Sequence, residues 1–113
     1  IASIMLGRHE EAERWLRRAL TLEPRSAKVL SDLGLALSRQ KKLGSAIERY
    51  REALEVDADF HAARFNLALA LHRAGDSGRA LEQLRRLARS DPDFPELQTT
   101  IDAISDQADD EQR

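Results

Sequence analysis

The chain has 113 residues, 42% hydrophobic, 34% charged and only 4% aromatic, with a formal net charge of -2. That length is one ordinary domain, and the balance of charge lacks the basic footprint of general nucleic-acid binding. There is no cysteine, which excludes disulfides, thiolate metal sites and cysteine nucleophiles. No apolar run approaches the ~20 residues of a membrane helix, and no signal peptide is visible. The chain begins at Ile1 rather than Met, so the native N-terminus is expected to be missing. A cytoplasmic location is expected, with a periplasmic one left open.

Charge is uneven along the chain. Asp102 to Arg113 hold five acids and one Arg, which leaves 15 acids and 17 bases in the preceding 101 residues. The body is faintly basic and the tail acidic. Runs of Val, Ile and Thr are absent, so the expected class is all-α.

In chain order, Ile1 to Leu6 read as the remnant of a helix, Gly7 as a turn, and Ala12, Leu16, Ala19 and Leu20 as the apolar face of a second helix stopped by Pro24. From Ala27 to Gln40, Val29, Leu30, Leu33, Ala36 and Leu37 mark an amphipathic helix. From Leu43 to Val56, Ala46, Ile47, Tyr50, Ala53 and Leu54 mark another, with Lys41-Lys42 between them. The pattern then recurs 34 residues on. Leu33, Leu35, Ala36, Leu37, Arg39, Ala46, Glu48, Asp57 and Asp59 return as Leu67, Leu69, Ala70, Leu71, Arg73, Ala80, Glu82, Asp91 and Asp93. Gly75-Asp76 fills the turn slot of Lys41-Lys42. Beyond it, Asp93 and Glu96 suggest a capping box around Pro95. Leu97, Ile101 and Ile104 then form one stripe of a closing helix over 95–106, and 107–113 reads as an unstructured acidic tail.

A single helical hairpin cannot bury its apolar face, whereas stacked copies share a continuous core. The 34-residue period, with Leu30, Leu33-Gly34, Leu37, Ala46, Tyr50 and Ala58, then Arg64, Leu67-Ala68, Leu71, Ala80, Leu84 and Pro92, resembles the tetratricopeptide repeat (TPR) family. The resemblance covers about residues 1–94: a partial repeat over 1–26, then repeats over 27–60 and 61–94. Leu30 and Arg64 stand where the pattern has Trp, Ala68 where it has Gly, and Ala58 where it has Pro. It implies a right-handed α-solenoid closed by a C-terminal capping helix, acting as a non-catalytic protein-interaction module. Gly34, Ala68, Ala12, Ala46 and Ala80 are then the close crossings, where larger side chains would overpack.

The resemblance also places the first helix of each repeat along a peptide-binding groove. By position, this face carries Ile1, Ile4 and Met5, then Ser31, Leu35, Ser38 and Arg39, then Phe65, Leu69, His72 and Arg73. An apolar floor with a basic lip suits a peptide with apolar side chains and an acidic residue. The carboxylate clamp of chaperone-binding TPRs would fall on Ser31, Leu35, Asn66, Glu96 and Thr100, where only Asn66 fits. That mode is rejected in this register.

No catalytic constellation is visible, and no cofactor or metal is expected. His9, His61 and His72 lack partners at ligand spacing, and neither phosphate-binding glycine motif occurs. The Asp57–Asp59 and Asp91–Asp93 triplets read as caps between helices rather than calcium loops. Neither nucleic acid nor membrane is expected as a partner. Trp15, with Ile1 and Ile4, marks a possible self-association edge. Asp109, Asp110 and Glu111 could fold back on the basic lip. A tethering segment of a larger protein, for instance one with a transferase domain, is the alternative reading.

Overall fold

The computed structural model describes residues 2–111, and the side chains of residues 7–110. Six helices follow one another: α1 (Ala2–Leu22), α2 (Ala27–Arg39), α3 (Leu43–Val56), α4 (His61–Arg73), α5 (Ser77–Ser90) and α6 (Leu97–Glu111). No strand occurs among the described residues. Each helix packs chiefly on its neighbours in the chain, and α2 also touches α4. The result is an all-α solenoid measuring 44 × 33 × 21 Å.

The two complete hairpins close by the same turn. Lys41 takes φ 63° and Gly75 takes φ 93°. The next amide, of Lys42 or Asp76, donates back to the Leu37 or Leu71 carbonyl at 2.9 Å, which is a Schellman closure. Asp76 adds a side-chain cap, accepting from the Arg79 amide at 3.2 Å. The connections between hairpins also repeat. The Phe60 amide donates to the Asp57 carbonyl, and the Phe94 amide to the Asp91 carbonyl. The Asp57 carboxylate accepts from the Asp59 amide at 3.0 Å, so Asp57 acts as a turn-former.

Gly7 occupies the corresponding turn position one period earlier, yet α1 runs through it without a break. The expected turn is not formed. Continuing the helix costs only the ~1 kcal/mol of a helical glycine.

The core is built from repeat-equivalent positions. Leu33, Leu37, Ala46, Tyr50, Leu67, Ala68, Leu71, Ala80, Leu84 and Leu87 form one buried cluster that continues into Leu97 and Ile104. Tyr50 is only 1% exposed, and its ring lies on the α2 backbone. A Cβ on Gly34 would stand 2.7 Å from Tyr50 Cε1 and 2.9 Å from Cδ1. In the next repeat the same two positions hold Ala68 and Leu84, so a larger residue on one helix faces a smaller one on the other. Arg64, at the position of Leu30, is 7% exposed. Its guanidinium donates to Gln83 Oε1 at 2.7 Å and to the Ala58 carbonyl at 3.1 Å. The stem fills the apolar site while the head stays satisfied.

Polar contacts fix α1 to the next hairpin. Glu13 accepts from Arg17 Nε at 2.8 Å, Gln40 Nε2 at 2.9 Å and Lys42 Nζ at 3.2 Å. Gln40 also reaches the His9 carbonyl at 3.3 Å. Arg17, with Gln40 and Lys42, holds the Glu13 carboxyl at about 2, below its usual 4.5.

The closing helix departs from expectation at both ends. Glu96 has φ 64° and lies outside α6, so it cannot complete a capping box with Asp93. The helix starts at Leu97 rather than at residue 95. It continues to Glu111, past the expected end at Asp106, because the half-buried Ala108 prolongs the stripe of Leu97, Ile101 and Ile104. Asp102 stands one period after Ala68 and is exposed. A carboxylate at that crossing position would oppose the packing of a further second helix, which suits α6 to closing the stack.

Two outcomes follow. Gly34→Ala should lower stability, because a clash of about 1–3 kcal/mol exceeds the ~1 kcal/mol gained in helix propensity. Combined with Tyr50→Leu, the pair of the third repeat, it should cost less than the two single changes summed. Strict additivity in urea unfolding would contradict the ring-on-backbone packing. The second outcome concerns acid. A depressed carboxyl contributes stability that is present above pH 4.5 and lost as pH falls toward 2. Wild type should therefore lose roughly 1 kcal/mol more than Glu13→Gln across that window. Parallel pH profiles of unfolding would show that the Glu13 contacts do not stabilise the fold.

Candidate functional site

Between the first helices α2 and α4 lies a cleft of about 250 Å³, lined by Leu35, Ser38, Arg39, Tyr50, Asn66, Leu69 and Arg73. The period of 34 produces it. Leu35 and Arg39 on α2 recur as Leu69 and Arg73 on α4, so adjacent repeats place the same pair of side-chain types along one face. Four residues separate Leu from Arg in each helix, which puts both on one stripe.

The lining has two guanidinium groups and no carboxylate. Neither Arg39 nor Arg73 forms an ion pair among the described residues. Burial pushes the Tyr50 hydroxyl up to about 12, against the pull of Arg73 and Arg39. The phenol therefore stays neutral and able to donate a hydrogen bond. Ser38 and the Asn66 amide add further donors. Leu35, 36% exposed, supplies apolar surface together with the half-buried Leu69. Chemically, the cleft is a donor-rich, positively charged notch with an apolar edge.

Among known proteins, two descriptions of the tetratricopeptide repeat match this chain, over residues 2–59 and 31–95. The chain belongs to the tetratricopeptide repeat family. Among solved structures it is similar to MamA, with a TM-score of 0.85 and 20% identity over 93% of this chain and 61% of that one. It is also similar to the Yersinia enterocolitica type III secretion translocator chaperone SycD, with a TM-score of 0.83 and 18% identity over 91% of this chain and 76% of that one. At these identities the likeness is one of fold, and the chain spans less than two thirds of MamA. No curated protein matches. As a TPR chain it is of the kind that serves as a protein–protein interaction module.

Within this TPR array the expected groove residues separate. Leu35, Ser38, Arg39, Leu69 and Arg73 come together in the cleft. Ser31 is buried and does not line it. Phe65 packs on Phe94, ring centroids 5.2 Å apart and tilted by 40°, which holds α4 to the segment leading into α6. His72 Nδ1 lies 3.0 Å from Ser77 Oγ and ties the α4–α5 turn. Met5, Ile1 and Ile4 lie outside the residues whose side chains are described. Trp15 sits on α1, away from the cleft, and is 62% exposed.

Two lining residues were not expected. Tyr50 reads as core in the sequence, and its ring is. Asn66 carries a signal: it precedes Leu69 by three and Arg73 by seven, the spacing of one helical stripe. The acidic end of α6 does not meet this cleft. Asp109 lines a separate depression of about 560 Å³ with Arg85, Leu81 and the Gly75–Gly78 turn, so the fold-back onto Arg39 and Arg73 that the sequence would allow is not seen among the described residues. Among the described residues no cluster of three or more His, Asp or Glu could hold a metal. Among the described residues no helix is long and apolar enough to cross a membrane.

Proposed function

We propose that the chain binds a peptide segment of another protein along α2 and α4, without catalysis. In this reading an acidic group of the peptide lies between Arg39 and Arg73, and apolar neighbours rest on Leu35 and Leu69. The observation that carries it is the cleft itself, with two unpaired guanidinium groups and three neutral donors and no carboxylate in its lining. Guanidinium–carboxylate hydrogen bonds are charge-assisted and directional. The Leu and Arg pairs one repeat apart would read a segment in two steps, so both apolar and acidic positions contribute to selectivity. The chaperone among the similar structures supports a protein ligand over a small one.

Peptide-display selection on the wild-type domain tests this, with a Leu69→Glu, Arg73→Glu variant as counter-selection. Enriched peptides should carry Asp or Glu beside an apolar residue, and should lose at least about tenfold in affinity for the variant. Peptides that bind both forms equally would contradict the cleft as the site. No enrichment would favour a tethering segment over a peptide-binding one.

A further inference from the structure

Two side chains of the α2–α4 cleft are buried, yet their hydroxyls have no partner in the protein. Tyr50 is 1% exposed and Ser38 8%. Neither hydroxyl takes part in a hydrogen bond among the described residues. No fully enclosed side-chain oxygen or nitrogen among those residues lacks a partner. Both hydroxyls therefore open to the cleft that the two residues line. A buried hydroxyl left unpaired costs stability, so packing alone would favour Phe at position 50. One repeat later Leu84 fills that place. The Tyr50 hydroxyl is in excess of what packing requires, and it is aimed at whatever enters between Arg39 and Arg73.

The donors decide what fits there. They come from three helices: Ser38 and Arg39 on α2, Tyr50 on α3, Asn66 and Arg73 on α4. The side chains of Arg39, Asn66 and Arg73 also make no hydrogen bond or ion pair among the described residues. The Asp32 charge acts on the Tyr50 hydroxyl, but Asp32 pairs with Lys28 at 3.4 Å and does not line the cleft. The lining thus carries two positive charges and no negative one. A carboxylate brings one charge and two oxygens whose lone pairs lie in one plane, and two guanidinium groups saturate them. One positive charge is then left over, and a hydroxyl outside that plane has nothing to bond. A phosphomonoester brings about one and a half to two negative charges and three strong acceptor oxygens. Its oxygens point in three directions, so it matches both the charge and the convergence of donors from three helices.

We propose that the acidic group held between Arg39 and Arg73 is a phosphorylated side chain of the partner peptide, with the Tyr50 hydroxyl donating to one of its oxygens. This occupant presupposes the peptide-binding role of α2 and α4. Pairing of arginines with a phosphoryl group is among the strongest charge-assisted contacts open to a peptide. The cleft then distinguishes the modified partner from the unmodified one.

Peptide libraries with randomised flanks around a fixed central Ser, Asp or phosphoserine test it. The phosphoserine library should be retained most. Its selected peptides should bind at least about tenfold more tightly than the same sequences with Asp. Tyr50→Phe keeps the ring against Gly34 and removes only the hydroxyl. It should leave the melting temperature unchanged or higher, lower phosphopeptide affinity about fivefold and leave the Asp peptides within about twofold. Inorganic phosphate should displace the phosphopeptide only at concentrations far above those of the unlabelled peptide. Equal binding of the Asp and phosphoserine forms would overturn the phosphoryl occupant while leaving peptide binding intact. So would a phosphopeptide affinity that Tyr50→Phe does not change. Displacement by inorganic phosphate as readily as by the peptide would overturn it in favour of free phosphate. Retention of none of the libraries would overturn peptide binding itself, and this occupant with it.

Discussion

The Tyr50 ring resting on the bare backbone of Gly34 shows the constraint on which the rest depends. Two helices of a hairpin share an apolar face that neither can hide alone, and a close crossing is possible only where one side chain is small. Gly34 against Tyr50 and Ala68 against Leu84 solve this with different volumes at the same two positions. Because each hairpin buries only part of its face, the next must close over it. The chain therefore repeats at 34 residues, and whatever sits on the outer side of one first helix returns on the next.

That return creates the cleft. Nothing in core packing requires Arg39 and Arg73 to match, since both are exposed. Their alignment comes from the period alone, and it concentrates positive charge beside apolar Leu35 and Leu69. Tyr50 joins the two roles. Its ring is held in the core, while its hydroxyl belongs to a cleft whose arginines oppose the effect of burial on its pKa. The ends of the stack follow from the same constraint. At one end α6 places Asp102 at the crossing position and turns a polar face outward. Among the described residues, Ala12, Leu16 and Ala19 of α1 are half-buried, and Trp15 and Leu22 are exposed.

Much of this was legible in the sequence. The helical class, the paired helices after residue 26, the buried small residues and the Leu and Arg pairs of the cleft all follow from periodicity, which reports burial directly. What was not legible depends on tertiary choices between near-equal local states. Gly7 and Lys41 hold the same position, yet the lysine adopts the left-handed turn and the glycine stays helical. Tolerance of positive φ therefore does not by itself decide where the chain turns. Glu96 likewise enters left-handed space because Leu97 must reach the core, and the capping box is lost. Phe65 lies on the face expected for the groove but is claimed by Phe94, which arrives from 29 residues further along. The Glu13, Gln40 and Lys42 contacts join residues with no periodic signal at all.

The central claim is that the period places Arg39 and Arg73 in one acid-binding cleft. Titrating isotope-labelled protein with a short peptide that carries one Asp between apolar residues, while following side-chain N–H resonances, tests it most directly. The account predicts that the Arg39 and Arg73 Nε–H and the Asn66 amide signals move together, along one saturating curve, and that an Asn-for-Asp peptide leaves them in place. Shifts confined to α1 or α6, or equal responses to both peptides, would contradict it.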